Sequence, residues 1–179
     1  MDKVVSQKNG GGAGYRALRG VILGMATMMA LPTVMADELN LLVNGHAKHI
    51  SPPKNTNYNE RNTGFGLQYD FERADKWVPF VMASGFKDSE YHMSYYAGGG
   101  IQYRYDVAPS LDNLHADLGV VAFFMTRKNF KNNEPFFGAL PALTIGTKHA
   151  SVNITYVPKV DPKMVALWFF QLKIPVASF

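Results

Sequence analysis

Strict alternation of apolar and polar residues is the feature that most constrains what this chain can fold into. In residues 63–71 the apolar positions are Phe65, Leu67, Tyr69 and Phe71, and the positions between them are Gly64, Gly66, Gln68 and Asp70. A period of two is the signature of a β-strand with one apolar face and one polar or small face. After residue 36 no stretch approaches twenty consecutive apolar residues, which excludes transmembrane helices from that part of the chain.

The same alternation recurs along the chain and predicts eight strands. They cover residues 39–50, 63–72, 77–87, 93–105, 114–126, 136–148, 150–158 and 164–175. Strands of about ten residues suit a tilted crossing of a bilayer, and eight strands make the smallest usual membrane barrel. The chain has no cysteine, so disulfides cannot stabilise it. Closing the sheet into a barrel is another way to stabilise the fold, because it leaves no strand edge unpaired. The sequence therefore predicts an all-β fold, an eight-stranded antiparallel transmembrane β-barrel over residues 37–179.

The strand at residues 114–126 separates a membrane barrel from the alternative, a soluble periplasmic lipid-binding barrel with the same strand number. One face is apolar throughout and carries Leu114, Ala116, Leu118, Val120, Ala122 and Phe124. The other face begins with His115, Asp117 and Gly119 and becomes apolar further along. A soluble barrel would expose polar residues, so the uniformly apolar face favours a wall that meets lipid.

Residues 1–36 are predicted to be a signal peptide, which implies export and a location in the outer membrane. Basic residues at positions 3, 8, 16 and 19 precede an apolar run at residues 21–34, and Val34-Met35-Ala36 suits a signal peptidase. The run is too short for a comfortable membrane helix. These residues hold four of the 18 basic and one of the 14 acidic residues, so the remainder has a formal net charge of +1. Nothing in that charge indicates nucleic-acid binding.

Strand counting brings several polar residues to one rim of the predicted barrel. The first strand of an outer-membrane barrel runs outward, so odd-numbered strands end at the cell exterior. His46 and His49 close the first strand, Asp88 and Ser89 follow the third, and Arg127 closes the fifth. Histidine, aspartate and serine together suggest acyl transfer, with the histidine as base and the serine as nucleophile or helper. A solvated rim without catalytic function is the alternative.

Several segments resemble the PagP family of lipid A palmitoyltransferases and its smaller relatives. The matching segments are Tyr58-Asn59-Glu60-Arg61 followed by Gly64-Phe65-Gly66-Leu67, then Phe86-Lys87-Asp88-Ser89, Ala97-Gly98-Gly99-Gly100, Leu140-Pro141-Ala142-Leu143 and Thr155-Tyr156-Val157-Pro158. The resemblance covers nearly all of residues 39–174. The Tyr-Asn-Glu-Arg and Lys-Asp-Ser matches are specific in combination, although each would be weak by itself.

The resemblance implies an enzyme that moves a palmitoyl or similar chain from a glycerophospholipid to lipid A. A monomer is expected, with no cofactor and no metal. The implied catalytic residues are a histidine of the first strand, Asp88 and Ser89. His49 fits the spacing of the shorter relatives and is favoured, and His46 fits the longer spacing and stays the alternative. The histidine would deprotonate the acceptor hydroxyl or Ser89, and Asp88 would orient it.

The resemblance also implies substrate-binding roles for Gly100, Arg127, Pro141 and Pro158. Gly100 matches the family's acyl-chain ruler, and a glycine facing the lumen predicts a void that sets the depth of an acyl pocket. Pro141 and Pro158 match a lateral opening, since proline cannot donate to the strand ladder. The family's second lateral opening and its N-terminal helix find no match. Two other functions stay open, a non-catalytic barrel with a structural or lipid-binding role and a lipid hydrolase that uses water as the acceptor.

Overall fold

The structure, a computed structural model that describes residues 36–160 and 164–179, is a closed β-barrel. Its strands are β1 (Ala36–His49), β2 (Gly64–Phe71), β3 (Trp77–Lys87), β4 (Met93–Ala108), β5 (Leu114–Thr126), β6 (Phe136–Gly146), β7 (Ser151–Val157) and β8 (Leu167–Ser178). Each strand pairs antiparallel with its neighbours in the chain, and β8 returns to pair with β1. The predicted eight-stranded antiparallel barrel is confirmed. No helix among the described residues is long and apolar enough to cross a membrane.

The first strand begins at Ala36, and the last strand contains a bulge. The predicted signal peptide lies outside the described residues apart from Ala36, the first residue of β1, so its cleavage stays a prediction. At the other end, β8 lies about three residues later than predicted. Its register against β1 shifts between Asn40–Pro175 and Leu39–Ala177, which leaves one extra residue in β8. Such a bulge reverses the alternation of faces beyond it.

The outer wall of the barrel is apolar. The most exposed outward side chains of β2, β5 and β6 include Leu67 at 52% and Phe65 at 68%, with Val120, Phe124 and Phe137 between these values. The neighbours of these residues in sequence point inward, and His115 and Asp117 of β5 are buried as the alternation predicts. Large contiguous apolar surfaces are unusual on proteins surrounded by water. The wall therefore favours a lipid environment over the soluble alternative.

A polar network fills one end of the lumen. Arg104 donates to both oxygens of Asp117 at 2.8 and 2.7 Å, and Lys173 Nζ lies 2.8 Å from Asp70 Oδ2. Above these ion pairs lies a layer of hydrogen-bonded side chains, Gln68, Gln102, Thr144, Asn153 and Gln171. Buried charges that are paired and hydrogen-bonded in this way form a rigid plug. The predicted change from a polar to an apolar interior along the lumen is confirmed.

Candidate functional site

A histidine and a serine face each other at the upper rim, the rim at which β1, β3, β5 and β7 end. His49 is the last residue of β1, and Ser89 lies in the tight turn after β3. His49 Nε2 lies 2.9 Å from Ser89 Oγ, and the two residues are only 6% and 9% exposed. His46 is on the opposite face of β1, where it is exposed and stacks on Phe170 with 6.2 Å between ring centroids. The structure therefore brings His49, and not His46, to Ser89.

Asp88 anchors the turn that carries Ser89. Its Oδ1 accepts the backbone N–H groups of Glu90 and His92 at 2.9 and 3.0 Å, and its Oδ2 accepts the hydroxyl of Ser94 at 2.9 Å. Aspartate side chains commonly bond the backbone a few residues ahead in this way. The sequence predicts that Asp88 orients the imidazole, but the hydrogen bonds of its carboxylate hold the turn and Ser94 instead. Asp88 thus fixes the position of Ser89.

Glu60 takes the place beside the imidazole that the sequence predicts for Asp88. One carboxylate oxygen lies 3.6 Å from His49 Nδ1 and accepts the backbone N–H of His49 at 3.2 Å. Nδ1 itself is buried and has no hydrogen-bond partner among the described residues. The His49 amide and then Lys48, whose Nζ lies 3.3 Å away, hold the pKa of Glu60 below its usual value, so the carboxylate is ionised at neutral pH. A serine, a histidine and a carboxylate are therefore arranged in sequence at the rim, with a hydrogen-bond distance between Ser89 and His49 and a longer distance of 3.6 Å between His49 Nδ1 and Glu60.

The loop between β1 and β2 holds this arrangement together. Tyr58 stacks on His49 with ring centroids 4.5 Å apart. Asn59 donates its side-chain N–H to the carbonyl of Asp88 at 3.0 Å and its backbone N–H to the carbonyl of Ser89 at 2.9 Å. The Tyr-Asn-Glu-Arg segment marks this loop as part of the family resemblance. The contacts of this loop with His49 and with the Asp88–Ser89 turn could not be predicted from the sequence, because they form only when the chain folds.

An apolar cavity of about 440 Å³ opens beside Ser89 and extends down the lumen. Its walls are formed by Met82, Phe86, Phe123, Met125, Leu140 and Phe169. Gln68, Gln102 and Thr144 line its lower end, where the polar network begins. The volume lies within the range of about 300–1,000 Å³ that is usual for ligand pockets. A long cavity with apolar walls and a polar floor suits one extended apolar chain.

Gly100 does not leave the void that the sequence predicts. It pairs across the sheet with Phe80, and a Cβ atom placed on Gly100 would lie 2.6 Å from Cζ of that ring. The ring of Phe80 is buried and packs with Val121 and Ala142 at the lower part of the cavity. The bare Cα of Gly100 thus makes room for Phe80. Any role of Gly100 in setting the cavity depth is exerted through that ring.

The ladder between β6 and β7 is short and stops at Pro141. Pairing runs only from Ala142–Thr155 to Gly146–Ser151, so residues 136–141 of β6 have no ladder partner in the described part of β7. Proline has no N–H to continue a ladder. Pro158 follows the end of β7 on the other side of the gap. The cavity reaches the outward-facing Phe137 as well as Pro158, so it opens sideways through the wall here.

Arg127 stands at the mouth of the cavity, close to the Asp88–Ser89 turn. Its Nε lies 3.6 Å from Asp88 Oδ2 and its Nη2 lies 3.9 Å from Glu90 Oε1, distances longer than hydrogen bonds. The guanidinium group therefore keeps donors for an anionic ligand. Within residues 36–160 and 164–179, no three His, Cys, Asp or Glu side chains are grouped as metal ligands would be.

Comparisons with known proteins agree with the resemblance seen in the sequence. Lipid A acyltransferase PagP of Methylobacillus flagellatus is 33% identical over 101 residues, which are 55% of this chain and 53% of that protein. The chain thus spans about half the length of this curated relative. Among solved structures, the Yersinia pestis outer membrane protein Ail in a phospholipid bilayer nanodisc has a TM-score of 0.44 at 11% identity, with 78% of this chain and 99% of Ail covered. A family model described as antimicrobial peptide resistance and lipid A acylation protein PagP matches residues 35–172, and the chain belongs to this family.

Proposed function

We propose that this protein is an outer-membrane acyltransferase that moves a palmitoyl or similar chain from a glycerophospholipid to lipid A. The observation that carries the proposal is the His49–Ser89 pair at the mouth of an apolar cavity. The family description, which names lipid A acylation, and the name of the curated relative support acylation of lipid A. The apolar outer wall supports a barrel that crosses the membrane. In this proposal its upper rim lies at the outer leaflet, as strand counting predicts.

In the proposed reaction the donor chain lies in the cavity and its ester carbonyl lies next to Ser89. His49 Nε2 takes the proton of the attacking hydroxyl, which belongs either to Ser89 or to the acceptor. A new bond forms to the carbonyl carbon, and the bond from that carbon to the glycerol oxygen breaks. The proton then passes from His49 to the glycerol oxygen, which leaves on a lysophospholipid. If Ser89 attacks first, the acceptor hydroxyl then attacks the Ser89 ester, the bond from the acyl carbon to Ser89 Oγ breaks, and His49 passes the acceptor's proton to that oxygen. Glu60, 3.6 Å from Nδ1, stabilises the imidazolium that forms on the way.

The donor enters through the gap between β6 and β7 in this proposal. Pro141 ends the ladder and Pro158 follows β7, so the wall opens there without breaking backbone hydrogen bonds. A phospholipid in the outer leaflet would slide its chain sideways into the cavity. Arg127, at the cavity mouth, would then lie near the donor phosphate.

The decisive experiment incubates the purified, folded barrel with acyl-labelled phospholipid and lipid A in mixed micelles. Transfer predicts labelled lipid A that is heavier by one acyl chain in mass spectrometry, together with lysophospholipid. Label in free fatty acid alone would identify a lipid hydrolase. A folded barrel that moves no label would identify a non-catalytic protein. Heat-modifiable migration in gels reports that the barrel is folded.

Phe80→Leu is expected to shift the donor preference to longer acyl chains, because it opens the lower part of the cavity. Each additional buried methylene contributes about 0.8 kcal/mol, or about a fourfold change in preference. Competition among phospholipids of graded chain length measures the shift. Gly100→Ala is the less suitable probe, since its Cβ would also lie 2.2 Å from the carbonyl oxygen of Val120 and disturb the barrel. An unchanged preference in a folded and active Phe80→Leu protein would contradict this role.

Glu60→Gln is expected to lower the transfer rate about threefold to tenfold, because an ion pair that is partly open to water contributes modestly. Glutamine keeps an oxygen that accepts the His49 amide but loses the negative charge beside the imidazole. Without that charge the imidazole binds a proton less readily, so the acid limb of the pH–rate profile should move to lower pH. Lys48 and Arg127 are the other charged groups near His49 and are left unchanged. A profile that keeps its position would show that Glu60 only supports the backbone.

A further inference from the structure

A second pocket of about 440 Å³ lies at the outer surface, on the other side of His49. We call it the outer pocket, and it is lined by His49 at the end of β1, by Tyr91 and by residues of the β1–β2 loop. The loop residues are Pro52, Thr56, Asn57, Tyr58, Asn59, Glu60 and Arg61. Ser89 lines the lumen cavity, and His49 lines the outer pocket. The 2.9 Å contact between these two side chains is therefore the junction of two pockets.

The two pockets differ in character. The lumen cavity has apolar walls, whereas the outer pocket presents amide, hydroxyl and charged groups. A transferase must bring two substrates to one base, and an acyl chain needs only the apolar pocket. The outer pocket offers the polar groups that an acceptor with hydroxyls and a charged headgroup would need.

The charge of the outer pocket favours an anionic ligand. Arg61 is exposed and forms no ion pair within the part of the chain that the structure describes. Glu60 is already engaged by the His49 amide and by Lys48 at 3.3 Å. The cation of Arg61 thus stays available for a phosphate or a similar group, which guanidinium binds through paired hydrogen bonds.

Tyr91 is held in an unusual conformation at the edge of this pocket. Its φ angle is +65°, in the left-handed region that bulky residues rarely adopt, and its side chain is 51% exposed. Lys87 Nζ lies 5.8 Å from the centroid of its ring. A bulky residue is kept at such a position only where the surrounding structure fixes it, and such positions concentrate at functional sites. The exposed aromatic face would pack against the C–H face of a sugar ring.

We propose that the outer pocket binds the phosphorylated sugar headgroup of the acyl acceptor and presents its hydroxyl to His49. Arg61 would pair with the phosphate, and Tyr91 would pack on the sugar. The acceptor oxygen forms the new ester bond to the acyl carbon, and the bond from that carbon to the glycerol oxygen of the donor breaks. The acceptor's proton passes through His49 to that glycerol oxygen, and the lysophospholipid leaves. This inference rests on the proposed transfer reaction.

The kinetic test compares Arg61→Ala with Lys54→Ala, a control in the same loop that removes the same charge outside the pocket. Arg61→Ala should raise the KM for phosphorylated lipid A about tenfold and leave the donor KM unchanged. The effect should vanish with dephosphorylated lipid A. Tyr91→Gly should also raise the acceptor KM, with thermal stability kept or increased because glycine tolerates the positive φ. Equal effects of Arg61→Ala and Lys54→Ala, or a rise confined to the donor KM, would overturn the proposal.

A binding measurement separates failure of the pocket from failure of the transfer reaction. Calorimetric titration of the wild-type barrel with a deacylated, phosphorylated glucosamine disaccharide needs no catalysis. Binding that weakens about tenfold in Arg61→Ala but not in Lys54→Ala would support the pocket even if no transfer were observed. An absence of binding to the wild-type protein in a preparation that transfers acyl chains would place the acceptor elsewhere.

Discussion

Replacing His49 with alanine is expected to reduce acyl transfer by about 10²–10⁴-fold, the usual contribution of a positioned general base. The expectation follows from the 2.9 Å contact of Nε2 with Ser89 Oγ at the cavity mouth. His46→Ala is the matched control, since it removes the same side chain from the same strand. His46 lies on the outer face against Phe170, so its loss should change the rate by less than about twofold.

Initial rates with labelled phospholipid and lipid A measure both variants. Folding is checked first by heat-modifiable migration, because an unfolded barrel would also be inactive. If His46→Ala alone abolished transfer, the base would be the outward-facing histidine and the reaction at the Ser89 turn would be wrong. If both variants kept wild-type rates, the rim would have no catalytic role.

Much of the fold could be predicted from the sequence because strand alternation is a local property. In β5 the inward Asp117 and the outward Leu118 and Val120 follow directly from their positions in a period-two pattern. Counting strands then places the ends of β1, β3 and β5 on one rim without any knowledge of distances. Alternation also places His46 and His49 on opposite faces, because three residues separate them. Which of the two faces inward depends on a register shift in β1 between Asn44 and His46, and that shift is set by pairing with β8.

The contacts that depend on loops and on cross-strand packing could not be predicted. Glu60 reaches His49 only because the β1–β2 loop folds back over the rim, and nothing in the spacing of the two residues indicates this. The ring of Phe80 fills the space beside Gly100, and the register between β3 and β4 determines that Phe80 is its cross-strand partner. The bulge in β8 likewise depends on pairing with β1. The residues that reach the rim can thus be identified from the sequence, whereas the partners that they contact there cannot.

Ser89→Ala is expected to abolish transfer, with a loss of about 10³-fold or more, while the barrel stays folded. Ser89 lines the lumen cavity, and its Oγ lies 2.9 Å from His49 Nε2. It lies in a turn beyond the end of β3, so its removal does not disturb the packed wall. The Ser89 variant tests whether the hydroxyl is needed. The expected loss is the same if the hydroxyl is the nucleophile and if it holds the attacking group in place.

Variants of the neighbouring Asp88 show whether this residue only holds the turn in place or also acts on His49. Asp88→Ala should also be inactive, because the turn loses the acceptor for the Glu90 and His92 amides and for Ser94. Asp88→Asn keeps an oxygen for the two amides, so it should retain more activity than Asp88→Ala and a pH–rate profile in the wild-type position. A full loss in Asp88→Asn with a shifted acid limb would mean that Asp88, and not Glu60, is the carboxylate that acts on His49. Wild-type rates in both Ser89→Ala and Asp88→Ala would instead reduce the whole turn to a solvated loop.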